Sequence, residues 1–387
     1  MTSQTHVASG LDSVELTQTL VRINTIPPAG LEEHCIEPLS DLLSGAGFNC
    51  RHVEFARGRK TLVARIGGRT DKAPLCFTGH VDVVPLGSEP WTHDPFGAHI
   101  IDGRLYGRGS SDMKAGVAAF TAAALDMADL AREGAGLTLI ITAGEETGCD
   151  GAFHLARMPG AREWVGQAGA LVVAEPTSNS PVLGHKGALW LKASARGKTA
   201  HGSMPHLGEN AIYAMARAAL TLESHDFGVA PHPEMGMPTL TVSTIRGGLN
   251  VNSVPDSAEM TVDVRTVAGL GHAGVLRCIC ERLGSGIQLS PLLDIEAVYT
   301  PPDEPWIRRV QLMTEAALVP SISPAIVSYF TDAAALRPLL GMPPTVILGP
   351  GEPSQAHQTD EYCEVRKIEE ARGLYVDLIR DWCGTEG

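Results

Sequence analysis

The sequence predicts an α/β protein with a mostly parallel sheet, interrupted by a smaller α+β domain. Three observations lead there. Apolar runs of strand length alternate with helical stretches up to about residue 180 and again beyond 300, as in a parallel sheet covered on both faces. Between 181 and 299 the order becomes strand, helix, strand, strand, helix, strand, a split βαβ arrangement. The 387 residues also exceed one ordinary core and point to about two domains of roughly 100–250 residues each.

The elements follow in order. Helices are expected over 11–24, closed by Pro27 and Pro28, and over 32–44, stopped at Gly45. Strands are expected at 62–67 and 75–84, a long Ala-rich helix at 113–133, and apolar strands at 137–144 and 170–176. The ferredoxin-like part should carry strands at 188–196, 238–246, 257–265 and 286–298 and helices at 209–223 and 270–283. After TPPDEPW (300–306) come a helix over 307–318, a strand running into a turn at 345–351 and a closing helix at 364–382. The domain limits expected are 1–179 with 300–387 for the larger part and 180–299 for the insert.

Composition narrows the classes of partner. Hydrophobic residues make up 44%, enough for full cores. A net charge of −14 argues against nucleic acid or an anionic membrane as the main partner, since both reward basic faces. No run of about 18 apolar residues occurs, so no membrane span is expected. The opening MTSQTHVASG lacks a basic and an apolar region, so no secretory signal is expected. Eight scattered cysteines without a CxxC pair read as reduced thiols of a cytoplasmic protein. Cys278 and Cys280, two apart on an expected helix, should point away from each other.

Five places carry chemistry. In FTGHVDVVP, His80 and Asp82 would share one side of an extended strand end, although a chance pair reads the same way alone. In RLYGRGSSDMKAG, a Gly/Ser loop delivers Asp112 just before a helix, where an N-cap is the bland alternative. In LIITAGEETG, Glu145 and Glu146 end an apolar strand. Crowded like charges there are costly unless a cation or proton intervenes, or unless the turn is solvated. Glu175 ends another apolar strand in LVVAEPT, and His357 lies in the polar loop GPGEPSQAHQTDEY. Imidazole mixed with carboxylate and no thiolate suits Zn²⁺, Co²⁺ or Mn²⁺ at a hydrolytic site. One carboxylate shared by two such ions would hold them about 3.5–4 Å apart, able to activate water and polarise a carbonyl together.

HVDVVP, GRGSSDMKAG, TAGEETG, AEPT and AHQTDE, in that order and spacing, resemble the M20 metallopeptidase family, and the resemblance covers nearly the whole chain. It implies a di-metal exopeptidase-like catalytic domain with an inserted lid and dimerisation domain. It further implies His80 and Glu175 on one metal, Glu146 and His357 on the other, Asp112 bridging, and Glu145 as general base. Asp82 would orient His80 through its second ring nitrogen, and a cis peptide would follow the bridging acid, here Asp112–Met113. His201, in GKTAHGSMPHLGENAI, resembles the residue that steadies the oxyanion, often from a partner subunit; otherwise it is a surface histidine. Asn250 or Asn252 would help polarise the carbonyl. Arg265 resembles the family's carboxylate-binding arginine, with a surface salt bridge as its alternative. Gly349 and Gly351 would let backbone amides approach that carboxylate. Ala115 stands where many members carry Gly. His272 and the remaining histidines are left as ordinary.

The activity implied is removal of the acyl group from an N-acyl amino acid by a homodimer. SYFTDAAAL (328–336) and the His357 loop are similar to the acetylornithine deacetylase and succinyl-diaminopimelate desuccinylase branch. Asp332 would lie near a cationic side chain or cap a helix. A carboxypeptidase or dipeptidase and a silent metal-binding homologue are the alternatives. A dinucleotide enzyme is set aside, since the glycines of GRLYGRG precede an acid rather than a phosphate-cradling turn.

Overall fold

The computed structural model describes residues 11–28, 32–317 and 326–384. The opening ten residues and residue 318, the expected end of a helix, lie outside that range. Ten strands build two main sheets: β1 (Asn49–Ala56), β2 (Arg59–Gly67), β3 (Leu75–His80), β4 (Gly136–Thr142), β5 (Ala170–Val173), β6 (Gly187–Arg196), β7 (Thr239–Gly247), β8 (Ser257–Thr266), β9 (Ile287–Ile295) and β10 (Thr345–Ile347). The chain divides into two compact units. One comprises Met1–Gly184, Thr300–Ala325 and Thr331–Gly387, and the other His185–Tyr299 with Ile326–Phe330.

The first unit holds a six-stranded sheet in the order β1-β2-β4-β3-β5-β10. Its four strands from β4 to β10 are parallel, and every residue of them is buried. Strands buried at both odd and even positions are covered on both faces, which is why they read as unbroken apolar runs. The β1–β2 hairpin joins antiparallel at the far edge. Strand β1 was not expected from the sequence: only Val53 of its eight residues is buried, so its alternation is faint. The expected 113–133 helix is two, Ala115–Asp126 and Ala128–Glu133, parted at Met127. The helices Ala115–Asp126 and Val365–Cys383 pack on each other. No helix among the described residues is long and apolar enough to cross a membrane.

The second unit is an antiparallel sheet in the order β7-β8-β6-β9. The helices Ala211–Glu223 and His272–Leu283 supply Met215, Leu222, Val275 and Ile279 to a core shared with Leu191, Val262 and Val264. This is the split βαβ order read from the sequence. All eight cysteines are free; Cys278 and Cys280 are both exposed.

His185 opens this unit fully buried. Its Nδ1 lies 2.9 Å from the Lys186 carbonyl, and Nε2 has no partner among the described residues. Burial pushes its pKa down to about 4. The folded chain therefore binds fewer protons than the unfolded chain between that value and about 6.5, and stability is lost as pH falls through this window. Between pH 7 and pH 5 the loss from this residue should be about 2 kcal/mol. Urea unfolding at both pH values should show a His185→Asn variant lacking that part of the dependence; equal pH dependence in the two proteins would contradict the assignment.

Candidate metal centre

Three parallel strands deliver their ends to one place. His80 is the last residue of β3, Glu145 and Glu146 follow β4, and Glu175 follows β5. Strand β3 stops at His80, so Asp82 is not on an extended strand as expected. Beyond the strand end, the Asp82 carboxylate binds the start of the next strand's loop instead. Oδ1 accepts from the Glu145 amide and Oδ2 from the Glu146 amide, each at 3.1 Å. The Nδ1 of His80 lies nearer to the main-chain carbonyl of Asp82, at 2.9 Å, than to its carboxylate, at 3.6 Å. Asp82 thus orients His80 mainly through its backbone.

Asp112 comes from an irregular segment, Ser110–Lys114, with a cis peptide at Asp112–Met113. That segment is held by Glu361, which is fully buried. One Glu361 oxygen accepts from the amides of Ser111 (2.8 Å) and Asp112 (3.0 Å). The other accepts from Gly109 (2.9 Å) and from the Arg108 guanidinium (2.7 Å). Sequence reasoning missed this residue; one more acid in the polar loop, four residues past His357, carries no pattern of its own. Gly116 completes the fit, since a Cβ there would stand 2.2 Å from the Ala174 carbonyl, beside Glu175. The His357 loop is tied down by the next acids along: Asp360 accepts from the Thr92 amide at 2.8 Å, and Glu361 does so as above.

The five expected ligands converge. Nε2 of His80 lies 3.2 Å from Asp112 Oδ1 and 3.7 Å from Glu175 Oε1. Nε2 of His357 lies 3.4 Å from Asp112 Oδ2 and 3.1 Å from Glu146 Oε2. Each Asp112 oxygen therefore faces a different imidazole. Glu145 is adjacent, its Oε2 4.0 Å from His80 Nε2. Burial, aided by neighbouring acids, raises Glu145 and Glu175 well above the usual carboxylate range and raises Glu146. Burial acts to lower His80, but Glu175, Asp112, Asp82 and Glu145 outweigh it and hold the imidazole well above its ordinary value. Asp112 and Glu146 push His357 up to about 10.

These residues fit a cation. Among the described residues no Lys or Arg hydrogen-bonds to the cluster, and the buried Oε1 of Glu146 has no hydrogen-bond partner. Buried carboxylates without cations are costly. Mixed imidazole and carboxylate donors suit a divalent ion, whose charge would stand in place of protons on the two imidazoles. His80, Asp112 and Glu146 already offer ligand atoms all within 4.8 Å of one another.

A family model described as Peptidase family M20/M25/M40 matches residues 76–381. The chain belongs to the M20 peptidase family. Among M20 relatives, the succinyl-diaminopimelate desuccinylase of Cereibacter sphaeroides is 32% identical over 394 positions, covering 96% of this chain and 99% of that protein. The acetylornithine deacetylase of Vibrio cholerae is 30% identical over 365 positions, covering 91% and 92%. The M20 metallo-carboxypeptidase Sso-CP2 of Sulfolobus solfataricus shares the fold with a TM-score of 0.74 at 17% identity, covering 96% of this chain and 99% of that one. Aminopeptidase PepT of Bacillus cereus does so with 0.72 at 20%, covering 96% and 98%. The chain is accordingly an M20 metallo-hydrolase.

The other expected M20 residues fall into two groups. Gly349 and Gly351 lie in the first unit, but their smallness serves packing. A Cβ at 349 would stand 2.2 Å from the Ala174 carbonyl and one at 351 equally close to the Ser111 carbonyl. The Gly349 amide donates to Thr177 Oγ1 at 3.1 Å, so it is not presented to a ligand. His201, Asn250, Asn252 and Arg265 belong to the second unit. His201 is exposed in a turn, its Nδ1 2.8 Å from Ser203 Oγ. Asn250 and Asn252 sit in an exposed turn. Arg265 pairs within its own strand, Nε lying 2.9 Å from Asp263 Oδ1. His272 in this unit touches Thr266, Asp294 and Glu296, with both ring nitrogens already engaged. Asp332 stands at the cap position of the Ala333–Leu339 helix without a side-chain cap bond, and among the described residues no Lys or Arg bonds to it. Instead it is buried, accepts from the Thr142 hydroxyl, and is pushed up to about 6 by burial.

Removing Glu361 should therefore disturb Asp112 from a distance. A Glu361→Ala variant leaves Arg108 buried without its partner and should lose about 3–5 kcal/mol in urea unfolding. Metal uptake, measured by elemental analysis after dialysis, should weaken with it. Wild-type stability together with wild-type metal content would contradict this role.

Proposed function

We propose that this M20 protein is a two-metal amidohydrolase that removes the acyl group from an N-acyl amino acid, in the manner of an acetylornithine deacetylase. His80, Asp112 and Glu175 would hold one divalent ion, and His357, Asp112 and Glu146 the other, with zinc the first choice and cobalt or manganese as substitutes. The observation that carries this reading is the Asp112 carboxylate, whose two oxygens face two imidazoles at 3.2 and 3.4 Å. When bound, such a pair of ions polarises a carbonyl and lowers the pKa of water.

The chain supplies the proton chemistry. Glu145 would accept a proton at Oε2, the oxygen turned towards the ligands, and return it to the leaving amine. Burial raises its proton affinity well above that of an ordinary carboxylate, the direction a general base needs. Asp82 holds the amides of Glu145 and Glu146 in the orientation this requires. His201 is proposed to steady the oxyanion, Asn250 or Asn252 to help polarise the carbonyl, and Arg265 to exchange Asp263 for a substrate carboxylate. The free cysteines favour a cytoplasmic enzyme. Exposed Tyr213 and Leu220 on the Ala211–Glu223 helix and Ile245 on edge strand β7 favour a homodimer through the inserted unit.

The deacylase reading is supported over a carboxypeptidase or dipeptidase by relatives at 30–32% identity over nearly the whole chain, named for desuccinylation and deacetylation. The peptidase structures match at 20% or less. With Zn²⁺ or Co²⁺ added, a panel of N-acetyl-ornithine, N-succinyl-diaminopimelate, N-acyl-glutamate and dipeptides should give its largest kcat/KM on an N-acyl amino acid. A dipeptide in first place would transfer the enzyme to the peptidases, and two bound metals with no hydrolysis would make it a binding homologue. On the best substrate, Glu145→Gln should keep its metals and lose at least about 10³-fold in kcat. Near-normal turnover would remove Glu145 from the role.

A further inference from the structure

We propose that Cys149, backed by Asp332, is a positioning residue that holds one oxygen of Glu145 so that the other faces the metal ligands. The proposal rests on the role given to Glu145 above. A general base must present one oxygen to the reacting proton, and a carboxylate on a turn rotates unless its other oxygen is held. At Glu145, Oε2 faces the cluster, 4.0 Å from His80 Nε2, while Oε1 lies 3.8 Å from the Cys149 sulfur.

The turn places the thiol there. The amides of Gly148 and Cys149 both donate to the Glu145 carbonyl at 2.9 Å, and Cys149 adopts φ +61°, which residues with a side chain rarely do. Its side chain is thereby folded into the interior with no exposed surface. Behind the thiol stands the buried Asp332. A thiol carries one proton and has two carboxylates to choose from. The Thr142 hydroxyl donates to one Asp332 oxygen, the other stands near the thiol with no partner of full hydrogen-bond geometry, and the thiol bond that has such geometry runs to Glu145 Oε1. No Lys or Arg hydrogen-bonds to Glu145, Cys149 or Asp332 among the described residues, so the thiol is the donor in reach of Oε1. Burial and the two acids hold its pKa well above the ordinary thiol range, so it stays a donor.

Cys149→Ala should lower kcat roughly five- to tenfold, the worth of one modest hydrogen bond, with KM and metal content unchanged. Cys149→Ser, which keeps a donor, should recover kcat to within about twofold of wild type. Asp332→Asn should add little in the Cys149→Ala background if it acts through the thiol. A readout free of turnover separates this proposal from the deacylase reading. The S–H stretch isolated as the wild-type minus Cys149→Ala infrared difference should lie at hydrogen-bonded frequencies and rise in a Glu145→Ala background. Unchanged kcat in Cys149→Ala, a loss shared by metal content or KM, failure of Ser to rescue, or an S–H stretch indifferent to Glu145 would each overturn it. A protein that hydrolyses nothing in the panel but shows the shifted stretch would sink the deacylase reading and keep the Cys149–Glu145 bond.

Discussion

Asp112 presents one oxygen to each of two imidazoles, and it does so inside the protein, where a carboxylate must be matched by positive charge or protons. That requirement organises the surrounding residues. Glu361 takes two amides from the Ser111–Asp112 segment on one oxygen, and Arg108 with Gly109 on the other. Asp82 does the equivalent for the Glu145–Glu146 turn. Neither of these acids is an expected ligand. Both convert loose loops into rigid mounts by satisfying backbone donors that burial would otherwise orphan.

The parallel strands solve a second problem. Side chains that must meet at a metal centre cannot come from one helix or one hairpin if they are to approach from several directions. Strand ends β3, β4 and β5 open side by side, so His80, Glu145, Glu146 and Glu175 arrive from adjacent rails. Glycines at 116, 349 and 351 let the remaining segments close to backbone contact around them.

Much of this was legible in the sequence because it rests on strong local signals. Unbroken apolar runs announced β4 and β5, and a polar or charged residue directly after such a run needs a reason to be there. The βαββαβ order of the insert was legible for the same reason: its helices and strands alternate buried and exposed residues in clear periods. What was missed lacks such signals. Strand β1 is an edge with one buried residue, so its pattern is mostly polar. Asp82 reads as part of an extended strand because Val81, Val83 and Val84 continue the apolar run, although the strand ends at His80. Asp332 and Glu361 act through distant partners, Thr142 and Ser111, that no spacing connects to them. Gly349 and Gly351 have a packing role that no local pattern announces, since a Cβ at either would meet a main-chain carbonyl.

Anomalous diffraction from crystals grown with Zn²⁺, collected on both sides of the metal absorption edge, tests the account most directly. It should reveal two ions sharing Asp112, one completed by His80 and Glu175 and the other by Glu146 and His357. A single ion, or ions bound away from Asp112, would contradict it.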